Sequence, residues 1–230
     1  TFVLKKVSVD GTKTTLGVSG NNGFKLTVGT DTIGYGIRNP LCLAASDRGV
    51  VIGTTDNASG VVFAGLESDN TTGPFTIANY GSGADNTSVA TTSGCDMTYA
   101  SNLNSGDNRT FYMAYDNVTV LNVFKLIDNS SNAGGGAITI GTPITQALGA
   151  TAQGIHIGVN SDDAAVVLVD NGTNALLYRM DNSTATSLTL LYDYTSLSSG
   201  SGVALGVNGK KYTIVTGKAA KTNVRVFYDE

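Results

Sequence analysis

Four residue types in this chain have side chains suited to chemistry, and three of them are scarce. His156 is the only histidine, Glu67 and Glu230 are the only glutamates, and Cys42 and Cys95 are the only cysteines. Aspartate is plentiful, at sixteen. A serine or cysteine nucleophile needs a base, and the one histidine sits in "GIHIGVN" with isoleucine on both sides, which reads as a packed or channel-lining imidazole. Glycoside hydrolysis needs two facing carboxylates, and no such pair stands out. Asp162-Asp163 in "NSDDAA" offers oxygen ligands without the spacing of a calcium loop. Cys42 and Cys95 have no metal-ligand spacing, and they read either as two buried thiols or as one disulfide. "NAGGGAITIG" and "SLSSGSGVALG" lack the Lys-Ser/Thr ending of a phosphate loop. The expectation is a protein that is not an enzyme and has no cofactor and no metal.

The aspartates are instead organised with asparagine. Eight Asp-Asn pairs occur, each with Ser or Thr two positions after the Asn, far more than sixteen Asp and twenty Asn would form at random. The motif makes Asn57, Asn70, Asn86, Asn108, Asn117, Asn129, Asn171 and Asn182 candidate glycosylation acceptors. It also makes good hairpin tips, because Asn tolerates left-handed backbone angles and Asp, Ser and Thr bond nearby backbone groups.

These tips punctuate a repeat. "IHIGVNSDDAAVVLVDNGTNALLYRMDN" (155–182) and "VALGVNGKKYTIVTGKAAKTNVRVFYDE" (203–230) share length and pattern, and related units run over 15–40, 43–70 and 97–129. Between the tips lie short runs rich in β-branched and aromatic residues, such as "VVFAGL", "TFYMAY" and "AAVVLV". Each unit predicts three antiparallel strands, and 74–80, 137–144 and 187–194 supply a fourth to three of them. The expected fold is one all-β domain over 1–230, a five-bladed β-propeller with blades at about 15–40, 41–81, 95–145, 154–195 and 202–230, in which residues 2–9 close the last blade. A β-sandwich or jelly roll is the alternative. Blade 1 is expected to have three strands, exposing an edge for strand addition at Thr32, Ile33, Tyr35 and Ile37.

Composition narrows the partners. Charged residues make up 14% of the chain, below the roughly 25% of an average domain. The net charge of −4 argues against nucleic acid, and Lys210, Lys211, Lys218, Lys221 and Arg225 read as a solvated strand edge. No apolar run is long enough to span a bilayer as a helix, so no membrane insertion is expected. Small neutral residues and few charges resemble the outer proteins of virions and prokaryotic cell surfaces. The expected role is therefore a structural protein, extracellular or on a cell or virion surface, oligomeric or assembled with other protein subunits. The alternative is a lectin-like, glycan- or receptor-binding module. Its aromatic platform would come from Tyr99, Tyr112, Tyr115, Tyr178, Tyr192 and Tyr194, since Trp is absent.

Overall fold

The computed structural model describes residues 3–19, 24–28, 31–37, 41–46, 49–56, 60–67, 75–80, 94–100, 108–128, 138–181, 185–195, 202–218 and 221–229. All regular structure among them is β, in five antiparallel sheets that follow one another along the chain. The first contains β1 (Val3–Val7), β2 (Lys13–Ser19), β3 (Phe24–Val28) and β4 (Asp31–Ile37). The second contains β5 (Leu41–Ala45), β6 (Gly49–Asp56), β7 (Gly60–Glu67) and β8 (Phe75–Tyr80). In the third, β9 (Cys95–Ala100), β10 (Arg109–Asn117) and β11 (Val120–Asp128) are followed by β12 (Ile138–Ile140) and β13 (Ile144–Ala147), which both pair with β11. The fourth contains β14 (Gly154–Val159), β15 (Ala165–Asp170), β16 (Asn174–Met180) and β17 (Thr189–Thr195). The fifth contains β18 (Gly202–Asn208), β19 (Lys211–Lys218) and β20 (Lys221–Tyr228). Each is a meander in sequence order. The expected all-β class is therefore observed, with the sheet boundaries near the unit boundaries.

The N-terminal segment departs from expectation. Residues 3–7 do not lie beside 223–228; β1 pairs with β2, Val7 opposite Lys13 and Val3 opposite Val18. The turn between them explains why. Ser8 N–H donates to the Thr12 carbonyl at 3.0 Å, Thr12 N–H donates to Asp10 Oδ1 at 2.9 Å, and Gly11 takes φ +83°. The Ser8 hydroxyl and the Thr12 N–H pull the Asp10 carboxyl down to about 2. Closing so short a loop costs far less chain entropy than joining the two ends of the chain. The first sheet consequently has four strands instead of three, and the fifth has three among the described residues. Thr32, Ile33, Tyr35 and Ile37 still lie on the terminal strand of their sheet, β4.

The described core lies between sheets stacked face to face. Met113, Phe111, Phe124 and Leu126 of the third sheet pack toward Cys42, Ala44 and Val51 of the second. On its other face Tyr112, Ala114 and Val123 meet Ala165, Val167, Leu176 and Met180 of the fourth. Val166, Leu168 and Leu177 then meet Tyr212 and Ile214 of the fifth. A strand between two partners must be apolar on both faces, and β15, "AVVLVD", is buried at all six positions. The first strands β5, β9, β14 and β18 lie side by side in that order.

Cys42 on β5 and Cys95 on β9 are joined in a disulfide, with Cα atoms 5.8 Å apart, which ties the second sheet to the third. The bond closes a loop of 53 residues, for which the chain-entropy model gives about 4 kcal/mol. Cys42→Ser with Cys95→Ser is expected to lower the melting temperature by roughly 10 °C in non-reducing buffer. Differential scanning calorimetry checks this; an unchanged melting temperature contradicts the bond's structural role.

Candidate functional site

The boundaries between the last three sheets hold most of the described polar chemistry. The turn from β14 to β15, residues 160–164, sits between the third and fifth sheets. Buried Asn160 organises it: its Oδ1 accepts from Asp162 N–H at 3.0 Å and Ala164 N–H at 2.9 Å. Its Nδ2 donates across to the Tyr212 hydroxyl at 3.0 Å. From the other side the Tyr112 hydroxyl donates to the Asp163 carbonyl at 3.1 Å. Burial, with the neighbouring Asp163 carboxylate, pushes Tyr112 up to about 12. Asp96 adds a further cross-sheet bond, its Oδ2 accepting from Ile157 N–H at 3.0 Å.

An ion-pair cluster closes the boundary between the fourth and fifth sheets. Arg179 on β16 pairs with Asp181 and with Asp229, just beyond β20. The Tyr212 hydroxyl also donates to Asp229 Oδ2 at 2.8 Å, and the Thr189 hydroxyl to Asp181 Oδ2 at 2.8 Å. The Thr189 bond and Arg179 hold Asp181 below the ordinary carboxylate range. Burial pushes Asp229 up, but bonds from Arg179 and Tyr212 outweigh it and the net shift is down. Asp229 helps wall a cleft of about 180 Å³ together with Leu177, Leu191 and Phe227.

The corresponding boundary between the third and fourth sheets is built differently. A cleft of about 470 Å³ is lined there by Lys125 and Ile127 of β11, Thr139 of β12, Gly141, Thr142, Met180, Ala185 and Thr186. Gly141 fits closely beside it: its N–H donates to the Lys125 carbonyl at 2.8 Å, and a Cβ would stand 3.2 Å from that oxygen. Burial lowers the Lys125 ammonium from its ordinary range.

The fifth sheet is covered on one face only. Tyr212, Ile214 and Phe227 turn toward the fourth sheet, with Phe227 4.2 Å from Tyr192 between ring centroids. The opposite face carries Ala204, Thr213, Val215, Val224, Val226 and Tyr228; the last three are 61%, 45% and 72% exposed. β18 alternates exposed and half-buried residue by residue, in contrast to β15.

The sequence-derived candidates fall at scattered places. Asn171 is excluded as a glycan acceptor: it is buried, its Nδ2 donates to the Leu148 carbonyl at 3.0 Å, and its Oδ1 accepts from Thr173 and Asn174. Asn117 is half-buried at the tip from β10 to β11, and Asn108 is exposed before β10. Asn57, Asn70, Asn86, Asn129 and Asn182 lie outside the described residues. The platform tyrosines are largely occupied. Tyr99 packs on Phe111, Tyr115 stacks on Phe124, Tyr112 and Tyr178 are core, and Tyr194 lies under Arg225. Lys210 pairs with Asp162 at 2.9 Å. His156 is half-buried on β14 opposite Leu168. Among the described residues no three His, Cys, Asp or Glu side chains gather into a metal-binding group. Sequence reading missed the Arg179 cluster and Lys125, because both depend on which sheet follows which.

No known protein family's sequence profile matches the chain, and no curated protein matches it in sequence.

The carboxylates around Arg179 give a pH dependence. With their folded values depressed, Asp181 and Asp229 add stability that is present above the unfolded value near 4 and lost as pH falls through the folded one. Asp229→Asn is expected to cost about 1–2 kcal/mol at pH 7, since the pair is partly solvated. The gap to the unsubstituted protein should close toward pH 2 in urea melts; a gap that stays constant refutes the ion pair's contribution.

Proposed function

We propose that this protein is a non-enzymatic structural subunit, extracellular or on a cell or virion surface, that works through contacts with other protein subunits. The observation that carries the reading is the bare face of the fifth sheet. Val224, Val226 and Tyr228 stand exposed on one side of its last strand, where every other sheet continues to a fourth strand. An exposed apolar face, next to a strand edge that no described strand of the chain pairs with, is a hazard unless something covers it. Three strands of about eight residues offer a flat face of roughly 400 Å², about half of what each partner contributes to a stable complex. A single contact of this kind is weak; repeated through an assembly, with a strand added along β20, it becomes strong.

The disulfide supports the extracellular setting, since such bonds persist in oxidising compartments. Succession of the first strands β5, β9, β14 and β18 supports a propeller-like arrangement of the last four sheets about a common axis. The exposed Asn108 is the described position best suited to carry a glycan, if the chain passes through a glycosylating route. The lectin reading is weakened because its candidate tyrosines pack within the fold.

Sedimentation velocity tests the proposal. The protein should form species larger than the monomer as concentration rises, and Val224→Lys with Val226→Lys should remain monomeric with an unchanged melting temperature. A monomer at every concentration, or a variant that assembles equally well, overturns it.

A further inference from the structure

The repeat contains its own control for the cleft at Lys125. In β10–β11 the buried Asp116 pairs with Leu121, and Lys125 lies four residues on. In β15–β16 the buried Asp170 pairs with Ala175, and Arg179 lies four residues on. The two cations thus occupy one structural position, each directed toward the sheet that follows. Arg179 meets two carboxylates there. Lys125 meets none among the described residues. For the carboxylate on the cation's own sheet, the difference is one residue of spacing. Asp181 stands two residues after Arg179, whereas Asp128 stands three after Lys125, so strand alternation sends Asp128 to the other face and leaves Ile127 in the equivalent place. The cleft walled by Asp229 keeps about 180 Å³, and the one at Lys125 about 470 Å³.

We propose that this cleft binds a sugar acid of the hexuronic type, whose carboxylate takes the place at Lys125 that Asp181 and Asp229 take at Arg179. A half-buried ammonium with no counter-charge among the described residues is a standing cost, which an incoming carboxylate offsets. The hydroxyls of Thr139, Thr142 and Thr186 suit the ring hydroxyls, and Ile127 with Met180 suits a C–H face. The volume lies within the range of small-ligand pockets. This inference is independent of the assembly reading, since the cleft and the bare face of the fifth sheet are on different sheet boundaries.

The test is a chemical-shift titration of the ¹⁵N-labelled full chain with sodium glucuronate, glucose and sodium acetate. Glucuronate is expected to shift the Gly141, Thr142 and Thr186 amides saturably, with glucose at least about tenfold weaker for loss of the charged contact and acetate at least about tenfold weaker for loss of the ring's hydroxyl and C–H contacts. Lys125→Met should weaken glucuronate binding by about tenfold or more. Ile127→Asp, which restores the internal carboxylate, should do the same while leaving the amide spectrum of the fifth sheet unchanged. Absence of saturable shifts with glucuronate overturns the proposal, as does equal binding by Lys125→Met. Acetate binding as tightly as glucuronate also overturns it, because the cleft would then read a bare carboxylate such as that of a protein side chain.

Discussion

The described architecture hangs on a five-residue turn with a buried asparagine. Asn160 satisfies two backbone N–H groups of its own turn through Oδ1 and reaches the next sheet through Nδ2, while the turn's Asp163 carbonyl receives the Tyr112 hydroxyl of the previous sheet. The Asn160 bonds to Ala164 N–H and to Tyr212 are buried, and a group left unpaired there would cost about 1–3 kcal/mol. The turn can therefore be satisfied only when the third and fifth sheets both stand at their observed distances. This turn thus adds directional contacts to both neighbouring sheets, beside the Asp96–Ile157 bond and the Arg179–Asp229 pair, where the apolar contacts alone fix no register.

Glycine supplies the complementary constraint at the first strands. A Cβ on Gly158 would come 2.6 Å from Val207 Cγ2, so β14 and β18 approach as closely as they do only because position 158 has no side chain. Gly202 on β18 occupies the place of Gly154 on β14, yet a Cβ there would meet nothing within 4 Å. The last sheet carries the same small residues as its neighbour without the neighbour's partner, which is why its alternation of exposed and half-buried residues is so regular.

Much of this was legible in the sequence, and most of what was not turns on strand phase. The hairpin tips at Asp116-Asn117 and Asp170-Asn171 fall where the Asp-Asn pairs place them, because turn chemistry is local. The number of sheets and the composition of β15 follow from pattern alone. Phase does not. Unit 5 aligns with unit 4 without gaps in sequence, but four residues separate Val207 from Tyr212 where five separate Val159 from Ala165. That single residue turns Tyr212 inward and makes Ala165 its counterpart, an outcome that no count of apolar residues reveals. The same sensitivity separates Asp128 from Asp181. The placement of residues 3–7 is set instead by the local turn at Ser8–Thr12, which pairs β1 with β2.

Among the described residues the third and fourth sheets each pack against two neighbours, and the fifth packs against one. Hydrogen–deuterium exchange of Asn160→Ala measures that coupling directly. Amides of β10 and of β19 should lose protection together, although neither strand contains the substitution. Loss of protection confined to residues 160–164 would contradict the claim that this turn sets the spacing of three sheets.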